Sequence, residues 1–384
     1  MKKDKKRRIL IFSTAYLPLV GGAEIAIADI TKKLTDYRFD LVCARLQRHL
    51  PKKETLGRVR VYRLGWGTKI DKYWLPLAGF WRGQKLLSQK KYAGLWSVIA
   101  SYNSFAALFL KWLHPRLPFL LTLQEGDSIE QIKRKTRFFR VLFRQIFKRA
   151  DYVQVISRYL GDLAVAMGTR AKISVVPNPV DMAKFSFAPA AKTQWRQKIR
   201  KNLDLNNSDI VVVSASRLVP KNRMGDLISA LNWVPLVKLL LLGDGPQKAE
   251  LQAQAKSQGV EHRVVFWGTV DHEKIPEFLA AADIFCRPSA SEGLGTAFLE
   301  AMAAGLPVIA TPVGGIVDFI SDYETGILTE PQNPRMLAAK IEQLVEKEDL
   351  RQRLAAAGRR LVCVHYSQEI IAGKMRSIFQ RVFL

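Results

Sequence analysis

Short apolar runs of four to seven residues alternate with helical stretches along most of this chain, and that alternation narrows its possible folds more than any other feature. In the first half, runs at 8–14, 40–44, 59–63, 95–100, 119–123, 152–156 and 173–176 read as strands, with a first helix expected over 23–34. In the second half the same reading gives strands at 210–215, 238–242, 263–267, 284–288 and 307–311. Buried β runs separated by helices build parallel sheets through right-handed crossovers. Two such sets in tandem predict an α/β protein made of two Rossmann-like, doubly wound domains facing each other across a cleft. The break is expected in "VVPNPVDMAKFSFAPAAKTQW", which Pro177, Pro179 and Pro189 punctuate before a helical pattern resumes near Lys192. This divides the chain into 1–183 and 184–365. With 384 residues, 48% of them hydrophobic, there is material for two or three cores.

Several classes are disfavoured by what the chain carries. The three cysteines, Cys43, Cys286 and Cys363, are scattered and odd in number, so neither a disulfide framework nor zinc spacing can be built from them. A reducing, cytoplasmic setting is the default expectation. The basic start "MKKDKKRR" leads into an apolar run that is short for a secretion signal and reads as a strand. The uncharged stretch 92–110 is long enough for a membrane span, but Ser97, Ser101, Asn103 and Ser104 interrupt it, so a strand, a polar turn and a helix are expected instead.

The formal charge of +26 is unevenly spread: residues 1–183 hold 35 Lys and Arg against 13 Asp and Glu, and residues 184–384 hold 25 against 21. The first half therefore attracts polyanions, whether nucleic acid, an anionic membrane or a phosphorylated substrate.

Open α/β sheets bind ligands where strands end and loops lead into helices, and each notable motif falls at such a place. Gly21 and Gly22 follow the first strand, where backbone can approach a ligand and a helix N-terminus offers free N–H groups. This is not the G-x-G-x-x-G of dinucleotide sites, and no acidic residue follows at the required distance. Arg217 stands just past a strand end, with Lys221 and Arg223 behind it; bases there can clamp a diphosphate, or form a solvated loop. "LLLLGDGP" ends a strand in a tight turn that exposes backbone at Gly243 and Gly245. "SEGLGTAFLEAMAAGLPVIAT" places Glu292 in a glycine loop and Glu300 on the helix that follows. A carboxylate accepts two hydroxyl hydrogen bonds in fixed geometry, which suits a sugar or ribose, although helix capping and simple exposure would explain the same acids.

In combination these segments resemble the family 4 glycosyltransferases of the GT-B fold. The E-x7-E pair at Glu292 and Glu300 is accompanied, in order, by "GGAE" (21–24), "PNPVD" (177–181, with Pro179 in place of the family's glycine), "SRL" (216–218), "LGDGP" (242–246), "FWGTV" (266–270), "GGIVDFI" (314–320) and "ETGIL" (324–328). The resemblance covers nearly the whole chain. It implies a retaining hexosyltransferase that uses a nucleotide-sugar, UDP- or GDP-linked, with no other cofactor. No paired acids of the DxD type stand at a strand end, so no metal is expected. It further implies that residues 366–384 pack back on the first, acceptor-binding domain and that the second domain holds the donor.

By that resemblance Glu300 holds the ribose hydroxyls and Glu292 touches the donor sugar. Amides of Leu294, Gly295 and Thr296 meet the sugar or diphosphate, Arg217 binds the diphosphate, and backbone at Gly268 frames the base. Gly22, Gly243 and Gly245 complete the donor set. The family's lysine stands five residues after the arginine; here that position is Asn222, so Lys221 or Arg223 must substitute, with Lys221 the preferred choice. Arg217, Lys221 and Glu292 form the expected catalytic group. On the acceptor side, Gln124 occupies a position where the family often has histidine. Glutamine can bond a sugar hydroxyl but cannot act as a base. The reaction implied needs no strong protein base, because the leaving diphosphate can take the acceptor proton.

The first half mixes aromatic and basic residues in 73–92 and 129–150, as interfacial segments on anionic lipid do. A peripheral protein at the inner face of the plasma membrane, acting on a lipid-linked acceptor in cell-envelope glycan synthesis, is therefore expected. The alternatives are a non-catalytic relative, an epimerase- or phosphorylase-like GT-B protein, and a basic nucleic-acid-binding protein. No nucleic-acid recognition motif is present, so nucleic acid is not an expected partner.

Overall fold

The structure is a computed structural model that describes residues 6–19, 21–203, 205–206 and 208–384. It divides into two compact units, one running to Pro179 and including Gln368–Leu384, the other Val180–Ser367. The division falls just ahead of the expected 183/184 boundary. Val180 already pairs with Ser367, and Asp181 caps the short helix Met182–Phe185 by accepting from the Ala183 and Lys184 amides.

The first unit is built on eight strands: β1 (Arg7–Phe12), β2 (Tyr37–Ala44), β3 (Lys53–Leu56), β4 (Val59–Leu64), β5 (Gly94–Val98), β6 (Phe119–Leu123), β7 (Tyr152–Val155) and β8 (Lys172–Val175). Their order is β3-β4-β2-β1-β5-β6-β7-β8. All pairs are parallel except β3–β4. Helices cover both faces of a parallel sheet, so its central strands read as unbroken apolar runs; Ile9, Leu10, Ile11 and Phe12 are all fully buried. Strand β3 escapes a reading by apolar period because "KETL" is polar and half exposed. It forms because Gly57, at φ +55°, turns the chain back onto β4.

The stretch 92–110 resolves into β5 and the helix Tyr102–Leu113. Among the described residues no helix is long and apolar enough to cross a membrane. The helix Asp71–Gln89 packs on Tyr102–Leu113 through Gly79 and Gly83. A Cβ on Gly79 would come 2.9 Å from that of Ala106, and one on Gly83 would come 2.5 Å from Leu110. The last helix, Gln368–Phe383, joins this unit: Phe379 meets Trp96 edge-on at 5.1 Å and Tyr37 at 5.3 Å.

The second unit holds six parallel strands: β9 (Ile210–Ala215), β10 (Val237–Leu242), β11 (Val264–Gly268), β12 (Ile284–Arg287), β13 (Val308–Ala310) and β14 (Ile327–Leu328), in the order β11-β10-β9-β12-β13-β14. The helix Pro189–Asn202 is tied to the sheet by Asp283, which pairs with Arg196 at 2.7 Å and Arg200 at 2.8 Å and accepts from the Val211 amide.

Candidate active site

In the second unit the strand order reverses direction between β9 and β12, which is where a doubly wound sheet opens a crevice. The loops after these two strands meet there: the Ala290 amide donates to the Lys221 carbonyl at 2.7 Å. The loop after β10 joins them, with the Leu218 amide donating to Asp244 and the Gln247 amide to Leu218. A Cβ on Gly243 would overlap the Ser216 carbonyl, and one on Gly245 would overlap Leu218, so glycine is required at both by close approach. The Gly243 amide donates to the Gly268 carbonyl at 2.7 Å, which brings in the end of β11. The fold thus gathers Arg217, Lys221, Gly243, Gly245, Gly268 and the 291–296 loop at one edge of one sheet.

Within this cluster Arg217 is exposed. Arg223 sits at φ +53° and makes a bidentate ion pair with Asp226 at 2.8 and 2.9 Å, which commits its guanidinium to the following helix. Lys221 is therefore the cation that shares a loop with Arg217 without that commitment to Asp226. Asn222, at the position of the family lysine, is buried and donates to the Arg217 carbonyl at 2.7 Å. It braces the loop and brings no charge.

The two glutamates differ in environment. Glu292 is only 8% exposed. Its Oε1 accepts from Ser289 Oγ and pairs with Arg287, both at 2.8 Å. Arg287 also donates to the Ala215 carbonyl and lies 4.8 Å from the Phe298 ring centre, so β12, β9 and the loop are locked together. Glu292 thus has a structural partner that its place in a glycine loop did not announce. Gly295 takes φ +88° ahead of the helix Thr296–Ala303, where a Cβ would meet Ile316 at 2.7 Å, and Leu294 is buried. Glu300 is half-buried in the second turn of that helix.

Glu300 Oε1 lies 2.8 Å from His272 Nε2, and Lys184 Nζ lies 2.9 Å from His272 Nδ1. An ammonium can only donate, so Nδ1 accepts and the ring proton on Nε2 points at Glu300. Sequence reading had no reason to single out His272: it lies in a short 3-10 turn, and only the return of the chain after β11 sets it beside Glu300.

In the first unit Gly22 opens the helix Gly22–Lys33, with a hypothetical Cβ 3.8 Å from Asn178. Asn178 in turn donates to Gln124 Oε1 at 3.2 Å, so Gly22, Gln124 and the "PNP" segment converge behind β6. The neighbour of Gln124 is the more unusual residue. Glu125 Oε1 accepts from the Ala100 amide at 2.5 Å. Burial pushes its carboxyl up to about 7, partly offset by that amide.

The family comparisons follow this division. The description "Glycosyl transferase 4-like domain" matches residues 21–179, and "Glycosyl transferases group 1" matches 196–361. The chain belongs to this glycosyltransferase family and has its GT-B fold. Sucrose-phosphate synthase from Thermosynechococcus elongatus superposes with a TM-score of 0.85 at 22% identity, covering 98% of this chain and 99% of that one. Anabaena HepE, determined with UDP-glucose, gives 0.82 at 23% identity, covering 97% and 99%. Among curated proteins, the chain is 32% identical over 248 residues to a GDP-mannose-dependent phosphatidylinositol monomannoside mannosyltransferase of Mycobacterium tuberculosis. It is 37% identical over 225 residues to the lipopolysaccharide core biosynthesis glycosyltransferase LpsE of Rhizobium meliloti. The matched segments span 62% and 59% of this chain, and 63% of the length of each relative.

Proposed function

We propose that this protein is a retaining hexosyltransferase that carries a sugar from a UDP- or GDP-linked donor to a glycan or lipid-linked acceptor. The observation that carries the reading is the direct bond between the Arg217–Lys221 loop and the glycine loop of Glu292 at the β9/β12 switch point. Cations, backbone amides and a helix N-terminus stand together there, and together they suit a diphosphate. The names of the relatives agree with such a donor: one is GDP-mannose-dependent and one structure holds UDP-glucose.

The chemistry follows from charge. As the bond from the sugar's C1 to the β-phosphate oxygen breaks, negative charge grows on the diphosphate. Arg217, Lys221 and the Leu294–Thr296 amides hold it in place. The acceptor oxygen bonds C1 on the face the diphosphate is leaving, and its proton passes to a β-phosphate oxygen, so configuration is retained without a protein base or a metal. Glu300, oriented by His272, takes the ribose hydroxyls.

We propose further that the reaction takes place at an anionic membrane surface, a reading that exposed apolar side chains support. Ile70, which precedes the helix Asp71–Gln89, and Trp74, Leu77 and Trp81 on it recur at helical spacing and are all more than half exposed. Phe138 and Val141 project similarly amid Arg137, Arg140 and Arg144. Thermal-shift measurements with UDP-, GDP- and ADP-sugars, then NMR of the product's anomeric centre, test the transfer. Sedimentation with phosphatidylglycerol vesicles tests the surface. An unshifted midpoint with every donor, an inverted product, or no vesicle binding at low salt each removes the corresponding part.

A further inference from the structure

The first unit contains a cavity of about 420 Å³ outside the carboxyl ends of β5 and β6, a size suited to a small-molecule site. Its wall is apolar: Phe105, Ile132, Phe139, Phe143, Phe147 and Leu163 line it. The rings interlock, with Phe105–Phe139 centres 6.0 Å apart, Phe139–Phe143 6.3 Å and Phe143–Phe147 5.4 Å. Its polar end is made by Glu125 and Asp127, with Lys135 and Lys72 at the rim. Lys135 is paired to Asp127. Glu125 Oε2 is buried and has no hydrogen-bond partner among the described residues. A buried carboxyl oxygen left this way is costly unless something outside the protein meets it.

The backbone beside it is strained and held. Ile99 lines the cavity at φ +68°, a conformation a β-branched residue rarely takes. The Asn103 side chain donates to the Val98 and Ile99 carbonyls and that of Ser104 to Ile99, while Thr14 donates to Asn103. This network aims the Ala100 amide at Glu125.

We propose that this cavity takes the hydrocarbon end of the acceptor, an uncharged amphiphile whose hydroxyl-bearing head meets Glu125. The proposal rests on the transferase reading above. Two observations select the occupant. Of the two rim cations Lys135 is paired to Asp127 and Lys72 lies over the Tyr73 ring at 5.0 Å, and the unpartnered oxygen belongs to a carboxyl, which suits a hydroxyl better than a phosphate. The apolar wall is also continuous with the exposed aromatic surface. Phe139 in the wall adjoins Phe138, which is 94% exposed, and Tyr102 at the rim packs edge-on against Tyr73 of the aromatic helix at 5.0 Å. A chain leaving a lipid surface has an apolar path into the cavity.

The test uses the full chain and monomeric n-hexyl, n-octyl and n-decyl β-D-glucoside, followed by calorimetry without any donor. Affinity is expected to rise about fourfold per methylene buried, with free glucose not binding. Phe139→Ala, at a partly exposed site that leaves the fold intact, should weaken octyl glucoside about tenfold. Leu163→Trp should fill the cavity and abolish binding, and Glu125→Leu should weaken glucoside binding by fivefold or more. Chain-length-independent affinity overturns the proposal. So does affinity lost in Trp74→Ser/Trp81→Ser but unchanged in Phe139→Ala and Leu163→Trp, which would mean adsorption on the outer surface. Donor binding is read separately by nucleotide-sugar thermal shift. Failure there with chain-length-dependent glucoside binding intact sinks the transferase reading alone.

Discussion

The Arg287–Glu292 pair is where folding and donor chemistry meet, and it permits a sharp test. Its 2.8 Å separation lies in a nearly closed environment, the side chains being 7% and 11% exposed. At an effective dielectric near 20 the gross attraction is about 6 kcal/mol, and desolvation of both ions cancels much of it. Removing one partner is different, because it strands the other: Arg287→Met should cost about 3–5 kcal/mol. Met keeps some contact with Phe298 but leaves Glu292 with the Ser289 hydroxyl as its side-chain donor and leaves the Ala215 carbonyl short of one. For a unit of this size, 1 kcal/mol corresponds to roughly 2–4 °C, so the unfolding midpoint of the second unit should fall by about 10 °C. Glu292→Leu should fall comparably, whereas the double variant, with no buried charge left, should recover at least about 2 kcal/mol of the summed loss. Glu292→Gln goes part of the way towards separating folding from chemistry. Its amide oxygen can still accept from Arg287 and Ser289 but no longer balances the guanidinium charge, so the midpoint should fall, by less than in Glu292→Leu, while turnover drops further if the carboxylate also touches the sugar. Calorimetric unfolding of the single and double variants, with initial rates for Glu292→Gln, reads all of this. Strict additivity of the Arg287→Met and Glu292→Leu losses would refute the claim that the two ions stabilise the loop as a unit.

Other outcomes follow from the same geometry. Arg217→Ala should lower kcat/KM by about 100- to 1000-fold, the range for losing one electrostatic donor to a developing anion, with an unchanged unfolding midpoint because the side chain is exposed; equal turnover would remove its role. His272→Ala should weaken nucleotide binding about tenfold, by about 1.4 kcal/mol, and His272→Gln should restore part of it, since the amide can still donate to Glu300; calorimetric titration with UDP and GDP decides. Glu125, with its carboxyl pushed up to about 7 from 4.5, keeps a proton in the folded state that the unfolded chain releases. The stability contributed by its neutral form is complete below about pH 4.5 and is lost as pH rises through about 7, a change of about 3 kcal/mol. Glu125→Gln should therefore raise the midpoint at pH 8 and not at pH 4.5, and an equal effect at both would contradict the assigned burial.

Much of the fold was legible because parallel strands buried on both faces are short apolar runs. β1, β5 and β9 announce themselves that way, as does the resolution of 92–110 into strand and helix. Strand β3 was not legible, since a polar edge strand made by a glycine turn has no apolar period. Nor was β14, two residues long and paired to β13 at the edge of the sheet. At the site, glycines 243, 245 and 295 mark themselves because close approach and positive φ admit no other residue easily. The ordered motifs likewise marked Arg217, Glu292 and Glu300 as residues to watch.

What the sequence could not reveal is who holds whom. That Arg223 is committed to Asp226 and that Asn222 braces the loop of Arg217 follows from one left-handed residue and one side-chain bond. His272 reaches Glu300 from 28 positions away, and Arg287 holds Glu292 from the end of the preceding strand. Glu125 was visible only as the neighbour of Gln124. Its unpartnered oxygen and the ring-lined cavity beside it come from helices of distant sequence packing against the ends of β5 and β6. The sequence by itself determined the sheets, their loops and the family, because periodicity and glycine chemistry are local. Tertiary structure alone decided which charges are paired, which are exposed and which polar atom is left buried without a partner, because desolvation and hydrogen bonding depend on neighbours that only folding supplies.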